Sequence, residues 1–240
     1  VRWVLDHTLR AADAVFCPNQ EAVELLRQRG YTRPAPLVPA VGVDTELFTP
    51  RPVRDRDSFV VGFVGRLVAE KGIDTLIDAV ARLAADAPPR PLKLRIIGAG
   101  PEESVLRRRA DAAGLGAQVD FVPPAPPAQI AGLMAELDVL VLPSRTTRVW
   151  KEQLGRVLLE AMATGVPVVG SDSGAIPEVI GDGGLIFPEG DVAGLAAALG
   201  QLLSDARLAR SLAERGVARA REEYSQSVLA SRTLAVYREA

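Results

Sequence analysis

The 240 residues are 48% hydrophobic and 24% charged, with a formal net charge of −2. That is enough apolar material for a core, which excludes intrinsic disorder, and it lacks the basic excess that a nucleic-acid surface requires. Cys17 is the only cysteine, so no internal disulfide can form, and no apolar run approaches the roughly 20 residues a membrane helix needs.

No signal-peptide pattern opens the chain, so a cytoplasmic setting is expected, one that allows a peripheral membrane contact. The chain starts at Val1, not Met, and directly in a helical pattern, so a fragment or a trimmed chain is expected. Val4, Leu5, Leu9 and Ala12 share one helical face, and Ala22, Val23, Leu25 and Leu26 form a second that stops at Gly30. Pro18-Asn19 separates the two, with Asn19 of N-cap type. Leu37-Val38-Pro39 reads as a short strand and residues 41–44 as a turn. Phe48-Thr49-Pro50 leads into an Arg/Pro/Asp linker that runs to Ser58.

From Phe59 the pattern becomes strand, loop, helix, repeated. The predicted strands are Phe59–Gly65, Leu92–Ile97, Val119–Val122, Asp138–Leu142, Val166–Val169 and Gly184–Ile186. The predicted helices are Lys71–Ala85, one from Pro101 to about Ala113, then Pro127–Glu136, Gly155–Thr164, Val192–Leu203, Arg207–Glu223 and Val228–Arg238. Nearly all-apolar strands alternating with helices predict an α/β fold: a Rossmann-like parallel sheet with helices on both faces. Ligands of such sheets bind beyond the carboxyl ends of the strands, and four loops of interest all follow strand ends.

Gly65-Arg66 and Lys71-Gly72 form the first loop: glycine lets backbone approach a ligand, and Arg66 and Lys71 are donors suited to phosphate oxygens. Gly98-Ala99-Gly100-Pro101 is the second, either a tight turn or a wall beside a nucleotide; the third glycine of a dinucleotide fingerprint would fall at Glu103, which argues against an NAD site. In Pro123-Pro124-Ala125 the prolines carry no N–H, so Ala125 is the backbone donor for a base edge. The fourth loop, from Ser144 to Gly155, holds Arg145, Arg148, Trp150, Lys151, Glu152 and Gln153 and precedes an apolar helix that carries Glu160. A helix start collects unpaired amides and partial positive charge. Carboxylates on either side of it, Glu152 and Glu160, suit a ligand with hydroxyls at both ends and an anion between, as in a sugar nucleotide. His7 is the only histidine and is placed on a helix surface; no Cys/His cluster suggests a metal, no Ser/His/Asp set a nucleophile, and Arg107-Arg108-Arg109 reads as a solvated face.

These runs resemble the donor-binding half of retaining glycosyltransferases of family 4, which have the two-domain GT-B architecture. The resemblance runs from about Val38 to Tyr237. It rests on Gly65-Arg66…Glu70-Lys71-Gly72, on Ile97-Gly98-Ala99-Gly100-Pro101, on Pro143-Ser144 after an apolar strand, and on Glu152-x7-Glu160-Ala161-Met162-Ala163. It continues through Gly165-Val166-Pro167, Ser171-Asp172-Ser173-Gly174, Pro177-Glu178 and Pro188-Glu189-Gly190-Asp191.

The resemblance implies transfer of a hexose from a UDP- or GDP-sugar, in polysaccharide-type biosynthesis, without metal or other cofactor. Arg66, Lys71 and Glu152 would be catalytic: Arg66 and Lys71 on the diphosphate, Glu152 on the donor sugar. Gly65, Gly98, Gly100, Ser144 and Gln153 would belong to the donor site. Leu154, Gly155 and Arg156 would offer backbone amides, Glu160 would take the ribose, and Ala125 would meet the base. Residues 1–45 would be the end of the N-terminal acceptor domain and the hinge, 46–223 the nucleotide-sugar-binding domain, and 224–240 a crossover helix that exposes apolar surface. The rest of the N-terminal domain would be the partner. Leu154 replaces the family's usual phenylalanine, and Pro123 a common glycine. A nucleotide-sugar-binding module without chemistry, and a nucleotide-sugar 2-epimerase on the same architecture, are the alternatives.

Overall fold

The structure, a computed structural model, describes residues 2–50 and 57–239; most of the predicted linker, residues 51–56, lies outside the described residues. Two helices open the chain, α1 (Arg2–Ala11) and α2 (Gln20–Gln28). The α/β part follows: β1 (Phe59–Val64), α3 (Ile73–Ala85), β2 (Leu92–Ile97), α4 (Glu103–Ala112), β3 (Val119–Val122), α5 (Pro127–Met134), β4 (Val139–Leu142), α6 (Arg156–Ala163), β5 (Val168–Ser171), α7 (Ile176–Ile180), β6 (Gly184–Phe187), α8 (Val192–Ser204), α9 (Ala206–Tyr224) and α10 (Gln226–Glu239).

The six strands form one parallel sheet in the order β3-β2-β1-β4-β5-β6. β1 runs beside β2 over its whole length, from Phe59↔Leu92 to Val64↔Ile97, and meets β4 at Val61↔Val139. Every residue of β4 is buried and so are five of the six in β1, which is why these strands read as unbroken apolar runs: helices cover both faces. α3 packs on α8, and α6 on α9. Strand order reverses between β1 and β4, and at that point the loops leave in opposite directions and open a crevice.

The predicted boundaries shift where backbone groups are already committed. The helix expected from Lys71 starts at Ile73, because Gly72 adopts a left-handed φ of 63° between a 3-10 turn, Ala69–Lys71, and α3. Lys71 is therefore a loop residue. The strand expected at Val166 begins at Val168: the Gly165 and Val166 amides close the end of α6 on Met162 and Ala161, and Pro167 has no amide to give the ladder. Leu37 forms a single bridge with Cys17 rather than a strand. The short helix α7 has no counterpart in the predicted elements; at five residues it shows no apolar period, and its Pro177 is tolerated because it lies in the first turn.

The apolar faces of the two terminal segments are only partly covered. Val4, Leu5, Leu25, Leu234 and Tyr237 are exposed, and α2 buries no residue. Where α9 gives way to α10 at Ser225, the chain runs beside Val43, whose amide donates to the Tyr224 carbonyl at 2.9 Å and whose carbonyl accepts from Gln226 at 3.1 Å.

Candidate nucleotide-sugar site

A cleft of about 310 Å³ opens at the switch point between β1 and β4. Gly65 and Arg66 from the loop after β1 line it, with Gly98 after β2, Ala125 before α5, and Arg156 and Glu160 from α6. Phe48, Pro124 and Ile130 supply apolar wall.

The loops after β1 and β2 meet because Gly98 has no side chain. Its φ is +149°, and a Cβ there would lie 1.8 Å from the Gly65 carbonyl oxygen. The Gly65 amide donates to Ile97 O at 2.9 Å, and the Gly98 amide to Val122 O at 2.9 Å, so three strand ends are held level. Gly100 packs against the backbone of Leu67 and does not line the cleft. Arg66 is exposed and has no ion-pair partner among the described residues.

Gly155 stands at the N-cap of α6, in the left-handed region at φ +69°, and no side chain caps the helix. Its leading amides are thus left for a ligand. Leu158, Leu159, Ala161, Met162 and Ala163 bury the helix on the sheet. Glu160 sits on the remaining face with a side chain 13% exposed, and Arg156 Nε lies 3.0 Å from its Oε1. Burial raises the pKa of the Glu160 carboxyl, and the Arg156 charge and hydrogen bond pull it back only in part.

Glu152 stands just before α6 and is 9% exposed. Its Oε2 accepts from Lys71 Nζ at 2.5 Å and from Ser144 Oγ at 3.1 Å. The other oxygen, Oε1, has no partner among the described residues. The Ala175 amide holds the Glu152 carbonyl at 2.9 Å, and Ser171 Oγ holds the Ser144 carbonyl at 2.5 Å. The Trp150 ring lies under the Lys71 ammonium, 5.0 Å from ring centroid to Nζ.

The structure thus brings Gly65, Arg66, Gly98, Ala125, Arg156 and Glu160 to one cleft, and joins Lys71, Glu152 and Ser144 beside it at the foot of α6. Leu154, next to the Gly155 N-cap, does not line this cleft but a smaller cavity of about 140 Å³ with Pro18, Asn19 and Glu178. The Gln153 side chain is exposed; its carbonyl accepts from Asn19 Nδ2 at 3.0 Å, which ties the loop to the N-cap of α2. The direct Lys71–Glu152 pair and the Trp150 contact were not read from the sequence. The mixed charge of the Ser144–Gly155 loop pointed to the region, but residues so distant in the chain give no spacing signal. Among the described residues no group of three or more His, Cys, Asp or Glu side chains is placed to hold a metal ion, and no helix is long and apolar enough to cross a membrane.

Residues 44–219 match the model of the family described as Glycosyl transferases group 1. The chain is 38% identical over 188 residues to the GDP-mannose-dependent alpha-(1-6)-phosphatidylinositol monomannoside mannosyltransferase of Mycolicibacterium smegmatis, covering 73% of this chain and 49% of that protein. Among solved structures it resembles sucrose-phosphate synthase from Thermosynechococcus elongatus, with a TM-score of 0.79 and 29% identity over 99% of this chain and 60% of that one. It also resembles the C-terminal domain of a glycosyl transferase group 1 family protein from Francisella tularensis, with a TM-score of 0.68 and 27% identity over 77% of this chain and 100% of that domain. The chain spans about half the length of the curated relatives it matches. With its sheet order, its cleft at the switch point and these matches, the chain belongs to the group 1 glycosyl transferases, family 4, and its sheet is the Rossmann-like C-terminal half of their GT-B fold.

Proposed function

We propose that this chain is the donor-binding half of a retaining hexosyltransferase that uses a nucleotide-diphosphate sugar. One observation carries the reading: carboxylates flank the uncapped start of α6, Glu160 in the cleft with Arg66 and Glu152 paired with Lys71. The diphosphate would lie across the amides of Leu154, Gly155 and Arg156, which lead into α6, with Arg66 and Lys71 on its oxygens. Glu160 would accept from the ribose hydroxyls and the Ala125 backbone would meet the base. Glu152, anchored through Oε2, would turn Oε1 to the hydroxyls of the donor sugar.

Charge builds on the diphosphate as the bond to the sugar breaks. Two cationic side chains and fixed amide dipoles stabilise it at the moment of bond breaking without reorganising, which is where an enzyme gains rate. The acceptor site would come from the N-terminal half, which the terminal segments would border.

The test is calorimetric titration with UDP-, GDP- and ADP-sugars, the relative's GDP-mannose among them, repeated with Glu160→Ala and Arg66→Ala. Binding of one class, weakened at least tenfold in both variants, is expected. Equal affinity in wild type and both variants would overturn the site. The 240 residues alone are expected to bind donor and transfer little of it, and efficient transfer by them would contradict the division into halves.

A further inference from the structure

We propose that Trp150 is a positioning residue for Lys71, holding the ammonium at the donor diphosphate through the face of its ring. The inference rests on the reading of Lys71 as a diphosphate ligand and adds to it the group that keeps this flexible side chain in place.

Lys71 lies in a 3-10 turn and not on α3, so its backbone gives the side chain no helical neighbour to lean on. Lysine has a long stem with much rotamer freedom to lose. Two groups restrain its end: Glu152 at 2.5 Å and the Trp150 ring at 5.0 Å. They act differently. The carboxylate takes an N–H, and it must share or yield the ammonium once a phosphate arrives. The ring attracts the charge through its quadrupole and requires no in-plane hydrogen bond, so the N–H donors remain for ligand oxygens. Only 19% of the Lys71 side chain is exposed, and a partly desolvated site strengthens such a contact.

The loop fixes the backbone that carries that ring. The Trp150 amide donates to Thr147 Oγ1 at 3.0 Å, and the Trp150 carbonyl accepts from the Thr147 amide at 2.7 Å. Thr146 is fixed in turn by its amide on Glu189 Oε2 at 2.7 Å, and Arg145 by Asp74 Oδ2 at 2.9 Å. Lys151, the next residue, pairs with Glu21. Both ends of the turn that carries Trp150 are therefore anchored to separate parts of the molecule.

The experiment compares Trp150→Phe, Trp150→Leu and Lys71→Met in this chain, by calorimetry with the tightest-binding nucleotide sugar and by NMR of the Lys71 ε-methylene protons. In the wild type those protons should show an upfield ring-current shift. Trp150→Phe should keep affinity within about threefold, and Trp150→Leu, which fills space without a quadrupole, should lose about five- to tenfold. Absence of the ring-current shift, wild-type affinity in Trp150→Leu, or equal losses in the Phe and Leu variants would overturn the role of the ring. The shift is read on the unaltered chain, so it decides even if a variant misfolds. Wild-type affinity in Lys71→Met would instead sink the diphosphate reading itself, whereas a loss in Lys71→Met beside wild-type affinity in Trp150→Leu would sink only the inference about Trp150.

Discussion

Replacing Glu160 by glutamine separates binding from folding, because the two are expected to move in opposite directions. The carboxyl is largely buried, and its pKa is raised by that burial more than the Arg156 charge lowers it. A raised folded pKa means that the folded state holds the proton more tightly than the unfolded chain, so this group's contribution favours folding as pH falls and opposes it once pH rises above the folded pKa. At pH 8 wild type carries a buried charge that Glu160→Gln removes, and Arg156, 63% exposed, is left to water at little cost. The variant should therefore melt higher than wild type at pH 8, and the gap should close as pH falls through the folded pKa. Donor binding goes the other way. Hydrogen bonds to a charged acceptor contribute about 1.5–3 kcal/mol and neutral ones about 0.5–1.5. With one or two ribose hydroxyls on the Glu160 oxygens, the exchange costs about 1–3 kcal/mol, or roughly five- to 150-fold in affinity. Wild-type donor affinity should also fall on acidification through the Glu160 pKa, while that of the glutamine variant stays flat. Calorimetry and thermal melts from pH 4 to pH 8 read both effects. A variant less stable than wild type at pH 8, or one that binds donor equally well, would refute the argument.

Other perturbations address the frame. Gly98→Ala places a Cβ against the Gly65 carbonyl oxygen at a positive φ, and should cost about 3 kcal/mol, read as a melting temperature lower by roughly 6–12 °C; a change under about 2 °C would mean that the strand-end contact is loose. Leu140→Ala empties a fully buried position in the central strand β4 and should cost about 2–5 kcal/mol in denaturant unfolding. Arg66→Lys keeps the charge but loses the planar fork, so donor affinity should fall by about tenfold or more in calorimetry, with stability unchanged because Arg66 is exposed and unpaired among the described residues.

The sheet was legible because its central strands β1, β4 and β5 are buried almost throughout, which leaves apolar runs such as Val139–Leu142. The order of those strands was not, since parallel pairing depends on which crossover covers which face. The cleft residues Gly65 and Gly98 stand out locally as glycines at strand ends, Ala125 as the first amide after two prolines, and Glu160 as a lone acid on an apolar helix. What escaped was anything set by two distant segments. The direct Lys71–Glu152 contact needs β1 and β4 to be neighbours, and Trp150 finds Lys71 only because the Thr147 turn folds it back. Lys71 itself was placed on a helix because a left-handed Gly72 looks like any helix-start glycine in the sequence. Leu154 is expected to serve through its backbone amide, and that it lines a separate cavity leaves that expectation untouched.

The charges of the site are already matched within the protein. Glu152 pairs with Lys71 and Glu160 with Arg156, which leaves Arg66 without a partner among the described residues. A diphosphate that drew Lys71 away would leave the Glu152 carboxylate, 9% exposed, with only the Ser144 hydroxyl for company. Such a group costs several kcal/mol unless new donors reach it. Sugar hydroxyls are such donors, and a bare nucleoside diphosphate has none at that end. On the proposed reading the pair therefore couples the sugar to the phosphates: Lys71 is fully released only when a sugar takes its place on Glu152. The nucleotide sugar should then bind more tightly than the matching free diphosphate, relative to the same comparison in Glu152→Gln, where no charge is stranded. If Glu152→Gln changes the ratio of the two affinities equally with Lys71 present and in Lys71→Met, Lys71 and Glu152 act independently, and the pairing at 2.5 Å is only the resting arrangement of two separate ligand contacts.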